Sequence, residues 1–146
     1  MSDADSLARA CAASMLEYDK GMQALGITLC EVRPGFSRMR MTVREDMLNS
    51  FQSCYGGMMF SLADCAFAYA CNSHNEVTVA SGCDIDFVRP ARLGDELTAI
   101  AEERTTSGRS GIYDVEVVNQ NGETVAHRRG RCRRIKGTVI RSMTPQ

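Results

Sequence analysis

In the run GGMMFSLADCAFAYACNS, Gly56 to Ser73, only Asp64 carries a charge. Met58 to Ser73 contains no glycine or proline, and its Met, Phe, Leu, Ala, Cys and Tyr residues predict a helix that is apolar on nearly every side. Such a helix belongs in an interior, where an unpartnered carboxylate costs several kcal/mol, and Asp is a weak mid-helix residue. Folding alone supplies no reason for it. Asp64 is therefore a candidate nucleophile or general base.

Gly56-Gly57 opens the same helix, where the first amides lack internal acceptors and the dipole favours negative charge. An oxygen developing charge, such as that of an attacked carbonyl, would be stabilised there. The plainer reading is a tight turn in which glycine relieves crowding. Eight residues of helix separate Gly56 from Asp64, roughly 12 Å, whereas a carboxylate attacking a carbonyl, or activating water against it, needs about 3–3.5 Å. One chain cannot supply both groups to one substrate. Two copies related by a twofold axis can, with Gly56 of one helix facing Asp64 of the other, which predicts two equivalent sites in an obligatory dimer. Asn49, in the preceding loop MLNSFQSC, can orient a water or close an Asx-turn.

The elements that must position these groups are legible in outline. Asp5 or Ser6 is expected to cap a first helix running to about Lys20. Ile27 to Val43 alternates around Pro34-Gly35 as a hairpin. After a loop over 45–55 and the apolar helix come four extended segments, VTVASGCDIDFV, DELTAIAEERT, SGIYDVEVVNQ and ETVAHRRGRCRRI, which suggest an antiparallel meander. The order helix, two strands, helix, four strands predicts an α+β fold, an antiparallel sheet wrapped around the long helix. The whole of residues 1–146 reads as one domain, with an N-terminal helix at about 5–20 and a core at about 25–137.

Composition narrows the classes further. With 17 basic and 18 acidic residues, there is no whole-chain attraction to nucleic acid or to an anionic membrane. The seven cysteines are scattered without a C-x-x-C pair, as expected of reduced thiols in a cytoplasmic protein. The N-terminal stretch reads as neither a signal peptide nor a membrane span. His74 and His127 make no metal-ligand pair, and no P-loop, G-x-G-x-x-G or G-x-S-x-G is present, so no metal or cofactor is expected. Alternation in HRRGRCRRIKG puts Arg129, Arg131 and Arg133 on one strand face, suited either to phosphates or to solvent. Arg89 and Arg109 stand under the same two readings.

The combination of Asn49, Tyr55-Gly-Gly-Met-Met-Phe-Ser-Leu-Ala-Asp64, Asp84-Ile-Asp-Phe-Val-Arg-Pro90, Gly94-Asp95 and Gly108-Arg109-Ser-Gly-Ile-Tyr-Asp resembles the phenylacetic acid degradation (PaaI) family of hotdog-fold acyl-CoA thioesterases. The resemblance spans about residues 8–140. It implies a homodimer with sheets joined edge to edge, two dimers forming a homotetramer, and hydrolysis of (hydroxy)phenylacetyl-CoA-type thioesters. Carried onto this chain, it assigns the catalytic carboxylate to Asp64, the oxyanion-hole amide to Gly56 and a loop asparagine to Asn49. It implies an acyl pocket beside Tyr55 and Gly57, with Arg89 and Arg109 as rim contacts for the CoA phosphates. Where the family carries histidine before the two glycines, this chain has Tyr55, so the alternatives are a thioesterase of different acyl preference or a non-catalytic acyl-CoA-binding hotdog protein. A hotdog dehydratase would need a histidine there, and a non-catalytic acyl-CoA sensor of this fold carries an added DNA-binding domain.

Overall fold

The alternation over residues 27–43 is a hairpin in the computed structural model, which describes residues 2–141: β1 (Thr28–Arg33) and β2 (Phe36–Thr42) turn at Gly35, whose φ of 70° suits glycine. The four later segments are β3 (Thr78–Phe87), β4 (Glu96–Ser107), β5 (Ser110–Val118) and β6 (Thr124–Arg134). All pairings are antiparallel, in a six-stranded sheet of order β1-β2-β4-β5-β6-β3. The expected four-strand meander is thus partly corrected. Strands β4, β5 and β6 form one, but β3 pairs with β6 and leaves its other edge free. Local patterning identifies a strand; it does not choose the neighbour.

Two corrections concern the N-terminus. Ser2, rather than Asp5 or Ser6, caps α1 (Asp3–Leu16), accepting from the Asp5 amide while the Asp5 carboxylate accepts from the Ser2 N–H. The helix also stops before Lys20, and a second short helix, α2 (Lys20–Ala24), follows with Asp19 as its cap. Asp19 does two jobs: its other oxygen accepts from Tyr69 Oη at 2.9 Å, tying α2 to the central helix.

That central helix, α3 (Gly56–Cys71), lies on the inner face of the sheet and buries Leu62, Ala63, Ala66, Phe67 and Ala70 against Met39, Leu97, Ala99, Val115 and Val117. Alanines bring its backbone close to the strands. Its C-terminal end is pinned by Asn72, whose Nδ2 donates to Thr78 O at 3.0 Å and whose Oδ1 accepts from Thr78 N at 2.9 Å. On β6, Gly130 leaves a notch filled by Phe67; a Cβ there would sit 2.5 Å from the ring. Phe67 also meets Tyr113 edge-to-face at 5.8 Å.

On the outer face, Arg129, Arg131 and Arg133 are exposed as alternation predicts. Two are engaged in ion pairs, Arg131 with Asp84 at 3.0 Å and Arg129 with Asp114 at 2.8 and 2.9 Å. Arg104 contacts the same Asp114 at 2.9 Å. The hydrogen bonds from Arg129, joined by those from Arg104, hold the Asp114 carboxyl down at about 2. A depressed carboxyl stabilises the fold fully above its unfolded value near 4 and loses that contribution as pH falls toward 2. With both guanidiniums half exposed, we expect about 1 kcal/mol at neutral pH. Chemical denaturation of the wild type and Asp114→Asn should show this gap at pH 7 and about half of it at pH 3. A gap independent of pH would contradict the assignment.

Candidate functional site

Tyr55 ends an extended segment, and α3 begins at Gly56 without a side-chain cap. Tyr55 O accepts from the Met58 and Met59 amides, whereas the Gly56 and Gly57 N–H groups have no acceptor among the described residues. They form the donor pair that the sequence places there. A Cβ on Gly56 would lie 3.0 Å from Phe87 Cζ and 3.2 Å from Cε1, so glycine relieves crowding at this position. Gly57 faces open space. Phe87, half exposed at the end of β3, is a site neighbour that sequence reasoning missed, although it lies inside the Asp84–Pro90 motif.

Asp64 lies two turns further along α3, and its environment departs from expectation. The carboxylate is neither buried nor unpartnered: its side chain is 49% exposed, and Oδ1 lies 2.9 Å from Nη1 of Arg128, a side chain only 1% exposed. The less covered side of the helix runs along Gly57, Ser61, Asp64, Cys65 and Ala68, at helical spacing, with Gly57 exposed and the others partly buried. Arg128 is the second residue missed. The alternation that turns Arg129, Arg131 and Arg133 outward turns Arg128 inward with Ala126, Gly130 and Cys132, and that signal lies in the sequence itself. Burial pushes the thiol of Cys65, adjacent to Asp64, up to about 12, which favours the protonated form at neutral pH.

The other candidates separate. Asn49 is committed to its own loop: Oδ1 accepts from Phe51 N at 2.9 Å and Ser53 N at 3.2 Å, and Nδ2 donates to Ser53 Oγ at 3.1 Å. This is the Asx-turn alternative, with one Nδ2 proton left over. Tyr55, directly before Gly56, is 56% exposed, and its backbone N–H donates to Met47 O at 2.9 Å. Arg89 lies near this end of the sheet, donating to Thr124 O at 2.9 Å. Arg109 is at the far end, where with Glu76, Arg134 and Lys136 it lines a cleft of about 660 Å³. Within the chain, then, helix start and carboxylate stand about two turns apart on one helix, and the two arginines lie at opposite ends of the sheet.

The family model for the thioesterase superfamily matches residues 51–126, the segment from the Asn49 loop through β6's first residues. The chain is 52% identical over 126 residues to the acyl-coenzyme A thioesterase PaaI of Escherichia coli (strain K12), covering 86% of this chain and 90% of that protein. A solved structure of the E. coli PaaI protein from the phenylacetic acid degradation operon superposes with a TM-score of 0.90 at 50% identity, over 92% of this chain and 97% of that one. A mutant of the phenylacetic acid degradation protein PaaI from Thermus thermophilus superposes with a TM-score of 0.76 at 36% identity, over 79% and 98%. Among the described residues no helix is long and apolar enough to cross a membrane.

Proposed function

Because the chain belongs to the thioesterase superfamily, we propose that this acyl-CoA thioesterase hydrolyses arylacetyl thioesters of the phenylacetyl or hydroxyphenylacetyl type, as one hotdog domain acting in a homodimer. One observation carries the site: unoccupied amide donors and a half-exposed carboxylate stand on one helix, separated by a distance that no single substrate carbonyl spans. The thioester oxygen sits at the Gly56 N–H, where developing negative charge meets donors and the helix dipole. Asp64 comes from the partner's helix. It acts in one of two ways, both ending in a free acid and CoA. As nucleophile it forms a mixed anhydride, expels CoA thiolate and is regenerated by water; as general base it takes the proton of the attacking water.

The free edge of β3 supports the dimer. It is ten residues long and lacks proline and, although it carries a bulge at Ala80/Gly82 and the charges of Asp84 and Asp86, it presents Val79 and Phe87 exposed, apolar surface that a second copy would cover. Antiparallel pairing of two such edges would also bring the partner's Arg109 end of the sheet toward this chain's Arg89, reuniting the two rim arginines near one mouth. Two such dimers make the tetramer that the resemblance implies, and the cytoplasm is the compartment where CoA substrates and free thiols coexist. Release of free thiol from a panel of acyl-CoAs tests the substrate class. Phenylacetyl- and hydroxyphenylacetyl-CoA should turn over faster than acetyl- or palmitoyl-CoA; binding of every thioester with hydrolysis of none would replace the enzyme with a sensor.

A further inference from the structure

The guanidinium of Arg128 is a charge that the fold places under α3, and nothing in the reaction above uses it. Its Cζ lies 4.8 Å from the Phe60 ring centre and 4.6 Å from that of Phe67, and its Nε and Nη1 are buried without a hydrogen-bond acceptor. The contact of Nη1 with Asp64 Oδ1 is therefore a close charge pair, 2.9 Å long but not aligned as a hydrogen bond. Phe60, Asp64 and Phe67 follow helical spacing on one face, so the carboxylate stands between two rings with the cation beneath it.

Folding does not call for this arrangement. An apolar side chain between two phenylalanines would avoid desolvating a guanidinium, and buried ion pairs are often no more stable than their apolar replacements. What the pair does supply is a fixed carboxylate. Oδ1 is held from below, Oδ2 has no partner among the described residues, and cation–π contacts on two rings keep the guanidinium from swinging.

We propose that Arg128 is a positioning residue for Asp64: it anchors Oδ1 and thereby presents Oδ2 as the oxygen that meets the thioester or its attacking water. The proposal rests on the thioesterase reading of Asp64, and its test separates the two. Wild type, Arg128→Met and Arg128→Lys are compared for kcat and KM on phenylacetyl-CoA, and their melting temperatures are measured with Asp64 intact and as Asp64→Asn. Methionine fills the space between the rings without charge; lysine keeps the charge without the planar fork.

Arg128→Met should lower kcat ten- to a hundredfold with KM within about threefold, and Arg128→Lys should recover part of the loss. In the melts, Asp64→Asn should lower the midpoint in the presence of Arg128, by stranding a buried cation, and much less in Arg128→Met. Wild-type kcat in Arg128→Met, or kcat and KM worsening together in both variants, would overturn the proposal. If Arg128→Met fails to fold, the kcat-to-KM split in Arg128→Lys decides. If the wild type hydrolyses no thioester, the thioesterase reading fails by itself, and the melts alone judge the anchor: additive shifts refute it, coupled shifts uphold it.

Discussion

Asp64→Asn is expected to cut kcat for arylacetyl-CoA by about a thousandfold or more while leaving KM within a few-fold. The amide keeps the shape of the carboxylate yet can neither attack a carbonyl nor take a proton from water at neutral pH, so loss falls on the chemical step. Binding has less reason to change, because the donors at Gly56 and the open space beside Gly57 are untouched. The variant should still fold, since half of the side chain faces solvent, though at a lowered melting midpoint because the buried Arg128 loses its counter-charge. Steady-state thiol release measures the effect directly. A folded variant with turnover close to wild type would remove Asp64 from the mechanism and pass the search to another group near the helix start.

The second expectation tests who supplies what. Gly56 is the first residue of α3, a position where proline is tolerated because its missing N–H has no helical partner, and the extended backbone of Tyr55 already suits the residue before a proline. Gly56→Pro therefore deletes one donor with little damage to the helix; the exposed Phe87 ring must swing aside. Alone, either Gly56→Pro or Asp64→Asn should be nearly inactive. Co-expressed with different tags, the two chains pair at random, and half of the dimers contain one of each. Each mixed dimer carries one site with both lesions and one with neither, so the mixture should regain about a quarter of wild-type activity. Should each chain use its own Gly56 and Asp64, nothing would be regained, and the shared site would be refuted.

How far the sequence foretells these experiments differs from group to group. The carboxylate, the glycine pair and their separation are legible because a helix converts residue count into distance, and the hairpin and strands are legible because alternation is local. The free edge of β3 is not, since no residue within a strand records which neighbour it will take. The half-exposure of Asp64 escapes for a related reason. Its helix is apolar on every side in composition, but one stripe is left less covered, and only packing reveals which. Arg128 is the instructive case. The period that turns three arginines outward requires the fourth to point in, yet an inward arginine is meaningful only once a helix with an acid lies opposite. The break between α1 and α2 carries no glycine or proline; its local mark is Asp19 as the cap of α2, and the contact of Asp19 with Tyr69, fifty residues away, is what the sequence does not record.

The notch at Gly130 has a consequence for catalysis that its size conceals. Phe67 and Asp64 project from the same helix, so whatever seats the ring also fixes the azimuth of the carboxylate. A side chain tip about 6 Å from a helix axis travels about 1 Å for each 10° of roll, and an error of 1 Å at a reacting group can cost about a hundredfold in rate. The absence of one methyl on β6 thus works as a detent for the rotation of α3. The aim of the oxygen that we propose reacts is set in part by the strand beneath the helix.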